Sequence, residues 1–413
     1  MFARFSKTLA LFLPGIFLLG FNIGTGSVTA MAKAGATYGM SLLWTIVISC
    51  LATYVMINAY GRFTLVTGET ALQAFRKHIH PAVGLYFIVA LTAGVCGSVM
   101  GVMGIVAEIS FEWSKSLVDG GIAPIWFAAF FVALVYYIFW NGTTAAFERS
   151  LAVIVAIMSA CFILNFFILM PPAVDIAQGL LPSIPTVGSD KSAFLIIASM
   201  VGTTVFSGLF IIRTTLVKEA GWTLADSDKQ RNDAIVAVVM MFLISAAIMA
   251  AAAGSLYAEG LELSRAAQMI GLLEPLAGTA ATTIFAVGIV AAGVSSQFPN
   301  VLMLPWLLCD FNQSERDMTL PQYRAIVFAI SLLGLVVPIF NARPLSVMIV
   351  SQAFNAVILP ITVGCILYLG NRADLMGEHR NSVATNAVLV LILLFSLFTS
   401  VLGIQGVWQL IGS

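Results

Sequence analysis

The chain has 413 residues, 60% of them hydrophobic and 9% charged, and its nineteen Lys and Arg balance nineteen Asp and Glu. Soluble proteins carry roughly 25% charged residues, so a soluble domain is excluded, and zero net charge offers nucleic acid or an acidic partner nothing to hold. The five cysteines (Cys50, Cys96, Cys161, Cys309, Cys365) lie in apolar segments without CxxC spacing and read as small buried hydrophobes.

Near the N-terminus, Arg4 and Lys7, an apolar run and Ala30-Met31-Ala32 have the outline of a cleavable signal peptide. The run is longer than a signal h-region, so it is read as the first span. A helix needs about 20 apolar residues to cross ~30 Å of hydrocarbon. That length predicts eleven spans, at 8–34, 41–61, 82–111, 122–140, 150–171, 193–217, 234–257, 278–308, 324–342, 345–369 and 385–410. The expected fold class is therefore all-α integral membrane. Residues 1–413 form a single transmembrane domain in this reading, with inverted repeats at 8–171 and 193–369 and an extra helix at 385–410. Five spans per half turn the second half upside down.

With the N-terminus cytoplasmic, thirteen Lys and Arg of the loops and span ends fall inside and five outside. The positive-inside rule then places the N-terminus inside and the C-terminus outside a cytoplasmic (inner) membrane. The sequon Asn141-Gly142-Thr143 falls on the inner side and is read as chance. His78, His80 and His379 all sit in polar loops, so no histidine cluster is expected within the membrane.

Two stretches, Ile23 to Ser27 and Phe206 to Leu209, interrupt spans 1 and 6 about half a chain apart. A broken helix leaves backbone groups that hydrocarbon cannot satisfy, so such breaks survive where they line a cavity. Paired breaks in two repeats point to the binding site of a transporter. Asn22, Gly24, Thr25, Gly26 and Ser27, with Phe206, Ser207 and Gly208, are the expected substrate-binding residues. Gly97, Gly101 and Gly104 of span 3 read instead as helix-packing positions.

Gly15 to Trp44, Arg62 to Glu69 (RFTLVTGE), Ala107-Glu108, Val201 to Val205, Arg231 to Ala247, Phe285 to Ser296 and Ser351-Gln352 through Leu359-Pro360 occur in an order that resembles the Nramp family of proton-coupled divalent-metal transporters. The resemblance covers most of the chain and implies discontinuous helices 1 and 6. It adds Gln352 to the site, and it lets Arg324 stand for an arginine of span 9. The departures are as informative. Where the family has Asp-Pro-Gly-Asn and Met-Pro-His, this chain has Gly24-Thr25-Gly26-Ser27 and Phe206-Ser207-Gly208. Ile105 stands at the place of one acidic residue of span 3, Glu108 is aligned with the other, and Arg213 replaces a common histidine.

A bare divalent ion in a low-dielectric site needs anionic ligands, and soft ligands help select transition metals. Manganese or iron transport is therefore disfavoured. A Gly-Thr-Gly-Ser break is also similar to that of amino-acid transporters in the wider superfamily, where a half-helix N-terminus holds a carboxylate. The reading preferred from the residues is an ion-coupled secondary transporter of a small carboxylate, zwitterion or anion. Its alternative is a divalent cation, with a largely hydrated ion such as Mg²⁺ ahead of Mn²⁺ or Fe²⁺. Glu108, Arg213 and Arg324 are the expected coupling or proton-pathway residues, and the coupling ion is left open between H⁺ and Na⁺. No cofactor, metal cluster or obligate protein partner is expected. The lipid bilayer and the solute are the partners. A sensor lacks a signalling domain here, and an enzyme lacks a catalytic constellation within the spans.

Overall fold

Proline and glycine set many of the helix ends. The computed structural model describes residues 24–142, 144–187, 191–273 and 281–412, and these are almost entirely helical. In chain order the main helices are α1 (Thr25–Tyr38), α2 (Leu43–Thr67), α3 (Pro81–Ser114), α4 (Pro124–Trp140), α5 (Thr144–Ile168), α6 (Phe194–Thr204) and α7 (Ser207–Glu219). They are followed by α8 (Ser227–Ala252), α9 (Ala281–Asn312), α10 (Pro321–Leu332), α11 (Pro344–Asn371) and α12 (Val383–Gly412). Proline opens α3, α4, α10 and α11, where its missing N–H is not needed. Gly68 closes α2 in the left-handed conformation, its N–H returned to the Thr64 carbonyl. A two-residue antiparallel pair, Thr186–Val187 with Lys191–Ser192, is the sheet present among the described residues.

Among the described residues, eight helical segments, α6 and α7 counted together as one, are long and apolar enough to cross a membrane. α5 and a short helix at Ala173–Gly179, bent by 118° from it, make a ninth when the two are taken as one span. α4 is a shorter apolar helix of 17 residues. The first part of span 1 lies outside the described residues, so the count of eleven stays an expectation. Helices predicted at 150–171 and 234–257 begin earlier, at Thr144 and Ser227, and in α8 the polar stretch Ser227 to Asp233 makes up the added turns.

α11 lies at the centre of the packing, against α3, α6 and α12, while α9 packs on α3 and α5, and α8 on α1 and α2. Pro299 and Pro305 fall inside α9 and Pro360 inside α11. In a bilayer such prolines survive where neighbouring helices and side chains re-satisfy the freed carbonyls. Large apolar side chains such as Trp126, Phe167 and Trp408 face outward, as a lipid-facing surface requires.

Candidate functional site

The break in span 6 falls at Val205 and Phe206. α6 ends at Thr204, Val205 (φ −106°, ψ 57°) and Phe206 (φ −76°, ψ 118°) leave the helix, and α7 starts at Ser207. This lies one residue earlier than the interruption expected at Phe206 to Leu209. Ser207 and Gly208 wind into the first turn of α7 because Ser207 Oγ is anchored by the Thr362 hydroxyl of α11 at 2.7 Å. In span 1, Gly24 is extended (φ −95°, ψ −177°) and Thr25, Gly26 and Ser27 form the first turn of α1. Asn22 and Ile23 lie outside the described residues. Both half-helices thus begin with a hydroxyl residue followed by glycine, and their first N–H groups have no partner within the helix.

The two halves of the chain meet here. Ser27 Oγ of α1 and Thr203 Oγ1 of α6 are 3.1 Å apart. Thr53 of α2 donates its hydroxyl to the Thr204 carbonyl at 2.8 Å, which satisfies one acceptor at the open end of α6. Between them lies a cavity walled by Gly24, Gly26, Ser27, Ser98, Val102, Thr203, Phe206, Ser296, Asn300, Gln352 and Asn355. It leaves about 50 Å³ for the centres of water molecules, enough for roughly three to five waters.

One hydrogen-bond relay fixes the far wall. Asn355 Nδ2 donates to Gln352 Oε1 at 3.3 Å, and Gln352 Nε2 donates to Ser98 Oγ at 3.2 Å. Ser98 is 3.1 Å from Ser351 Oγ, which donates to the Gly94 carbonyl at 3.0 Å. Asn355 Oδ1 is left buried without a hydrogen-bond partner among the described residues, and a buried polar atom of this kind calls for a ligand or water. Glycine keeps this geometry possible. A Cβ on Gly26 would lie 2.9 Å from Gln352 Nε2, and one on Gly202 would lie 1.9 Å from the Gln352 carbonyl oxygen. α6 and α11 therefore touch backbone to backbone.

Of the residues expected from sequence, Gly24, Gly26, Ser27, Phe206 and Gln352 line the cavity. Thr25 is buried and turns toward Gly293 of α9. Gly208 lies under the Phe206 ring. Glu108 is not brought to the cavity. It sits toward the end of α3, ion-paired with Arg265 at 3.2 Å, and Val102 and Ser98 are the α3 residues that reach the cavity. Arg213 neither lines the cavity nor reaches the surface. It is fully buried against Asp233 of α8 at 2.6 Å, with the Trp222 ring 5.4 Å away. Asp233, its partner, is equally buried. Arg324 lies at the start of α10, its guanidinium 3.8 Å over the Trp140 ring.

Sequence reading missed Ser98, Thr203, Ser296, Asn300 and Asn355. Helical spacing held a signal for some of them. Ser296 and Asn300 are four apart on α9, and Gln352 and Asn355 three apart on α11, so each pair shares a face. Polar residues within apolar spans are functional candidates by default. The described residues contain no group of three or more His, Cys, Asp or Glu fit to hold a metal ion. The cavity offers neutral oxygens and amides: hard, uncharged ligands.

Outside the spans, Glu69 contacts Lys77 at 2.5 Å and His78 at 2.8 Å. Partial burial works to raise its pKa, but the hydrogen bonds and charges of these partners outweigh it and hold the carboxyl below its ordinary value.

The family model for natural resistance-associated macrophage protein-like (Nramp) proteins matches residues 16–406. The divalent metal cation transporter MntH of Erwinia tasmaniensis is 23% identical, over 87% of this chain and 85% of its own. The divalent metal cation transporter MntH 1 of Pseudomonas aeruginosa is 24% identical, over 91% and 87%. Among solved structures, the manganese transporter of Eremococcus coleocola superposes with a TM-score of 0.75 at 16% identity, covering 98% of this chain and 88% of that one. MhsT in complex with L-phenylalanine superposes at 0.62 with 14% identity, covering 95% and 98%. Those two likenesses establish the fold. The match across residues 16–406 establishes more: the chain belongs to the Nramp family, and it is a multi-pass membrane transporter rather than an enzyme, with no cofactor required.

Proposed function

We propose that this transporter carries a divalent cation by alternating access and holds it with part of its water shell, Mg²⁺ being the best fit. The named relatives favour a cation over the small carboxylate preferred from the residues alone. The observation that carries the proposal is the wall of the central cavity: hydroxyls and carboxamides, no carboxylate or thioether among the lining residues, and room for a few waters. A bare divalent ion in such a place would meet a desolvation cost that neutral dipoles do not cover. Mg²⁺ keeps several waters in most protein sites and takes hard oxygen ligands. Asn355 Oδ1 and Gln352 supply carboxamide acceptors, and Ser27, Thr203 and Asn300 can take hydrogen bonds from bound water. α6 adds the partial negative charge of its C-terminal end at Thr204.

Soft transition metals lose their usual advantage here because no soft ligand lines the cavity. Neutral ligands also imply modest affinity, in the millimolar range or about 4 kcal/mol, which suits release. The whole chain is taken as one transport domain with its N-terminus cytoplasmic, a reading supported by the distribution of Lys and Arg among the loops.

The test is Asn355→Leu in purified protein reconstituted into liposomes. Loss of a charge-dipole contact of about 1.5–3 kcal/mol predicts a tenfold or greater rise in the half-saturating Mg²⁺ concentration. An unchanged concentration dependence refutes the placement of the ion.

A further inference from the structure

Phe206, just before α7, and Asn300 of α9 line the central cavity, and both helices continue to the membrane face where α2 also ends. Ten residues beyond Asn300, about 15 Å along the helix, α9 places Asp310. This carboxylate is 9% exposed. Its Oδ1 accepts hydrogen bonds from Thr70 Oγ1 at 2.7 Å and Gln73 Nε2 at 3.2 Å. Its Oδ2 has no hydrogen-bond partner among the described residues. Asp310 forms part of the wall of a second cavity, shared with Thr215, Lys218 and Ser314, which leaves about 440 Å³ for water centres. That is far roomier than the central cavity.

We propose that this second cavity is a staging site for a divalent cation, where Asp310 and the hydroxyls of Thr215 and Ser314 hold a hydrated ion between the central cavity and solution. The proposal rests on the cation reading given above. One carboxylate with hydroxyl oxygens and retained water is a donor set suited to Mg²⁺. A buried carboxylate with one oxygen unpartnered calls for a cation or a proton. An anion is repelled by Asp310, and the two cations of the wall are already engaged. Lys218 donates to Gln73 Oε1 at 3.0 Å, and Arg316 is paired with Glu219. Lys218 remains close enough to oppose a bound metal, which keeps the site weak, as a stage that must pass its ion on has to be.

The test is isothermal titration of the full-length protein in detergent with MgCl₂ at constant pH. The set comprises the wild type, Asp310→Asn, Lys218→Met and the central-cavity variant Asn355→Leu. The expected wild-type isotherm has two components. Asp310→Asn removes one and keeps the other, Asn355→Leu does the reverse, and Lys218→Met tightens the Asp310-dependent component by about tenfold by removing a neighbouring positive charge. The Lys218→Met arm is a gain of affinity, so a folding defect cannot mimic it. An Asp310→Asn isotherm identical to wild type, with wild-type Mg²⁺ uptake intact, overturns the staging site while leaving the transport reading standing. So does Lys218→Met without any gain. Absence of both Mg²⁺ binding and Mg²⁺ uptake in the wild type overturns the transport reading and this proposal together. A component that disappears on protonation at constant metal but is insensitive to MgCl₂ shows that Asp310 holds a proton instead, and overturns it too.

Discussion

Replacing Arg213 with methionine leaves the Asp233 carboxylate buried in the protein interior without its partner. The pair is 2.6 Å apart, and its side chains are 0% and 1% exposed. Breaking a buried pair by removing one member costs about 3–5 kcal/mol, most of it the desolvation of the charge left behind. With ~2.1 cal/mol/K of unfolding entropy per residue, a chain of 413 residues loses about 1 °C of melting temperature per kcal/mol. Arg213→Met should therefore melt about 4–6 °C lower. The double variant Arg213→Met, Asp233→Leu removes both charges and should recover most of that loss, since apolar replacement of a buried pair is often neutral or stabilising. The assay is thermal denaturation in detergent, followed by size-exclusion recovery, for the wild type, both single variants and the double. A coupling energy of about 3 kcal/mol is expected from the cycle. Additive losses, with the double variant worse than either single, would refute the claim that each charge needs the other.

Glu69→Gln should lower stability at neutral pH and leave it unchanged in strong acid. The folded pKa of Glu69 is lowered, so its contribution is present above the ordinary carboxylate value of about 4.3 and fades as pH falls through the folded value. Wild type and variant melting curves should differ at neutral pH and converge in strong acid, and divergence toward acid would contradict the pairing. Glu108→Gln should leave the pH profile of uptake unchanged, because Glu108 pairs with Arg265 away from the cavity wall; a flattened profile in liposomes would return it to the proton path. Gly202→Val should abolish correct packing of α6 on α11, because any Cβ there meets the Gln352 carbonyl oxygen. Wild-type expression and monodispersity of that variant would contradict the close approach.

Much of the architecture was legible in the chain because span length and apolar content are set by the bilayer itself. The break in span 6 was legible to within a residue or two, since glycine and a small hydroxyl residue interrupt an otherwise uniform apolar run. Its detail was not. Whether Ser207 belongs to the unwound segment or to α7 depends on Thr362, more than 150 positions away. Glu108 shows a similar limit: alignment places a residue in sequence, and packing against α9 and α11 decides which turn of α3 reaches the cavity. Asn300, Asn355 and Ser98 were passed over because isolated polar residues in spans carry no motif. They become a site when three helices bring them to one wall. Arg213 and Asp233 lie twenty positions apart on different helices, and neither spacing nor composition pairs them.

The most direct test of a neutral cavity for a partly hydrated ion is Mg²⁺ influx into proteoliposomes, read with an entrapped Mg²⁺ indicator and compared with Mn²⁺, Cd²⁺ and a panel of small carboxylates and amino acids. The account predicts Mg²⁺ influx that saturates in the millimolar range and is lost in Gly26→Trp, where an indole fills the space beside Gln352. Saturable uptake of micromolar Mn²⁺ or Cd²⁺ with no Mg²⁺ entry, or uptake confined to carboxylates and amino acids, would contradict it.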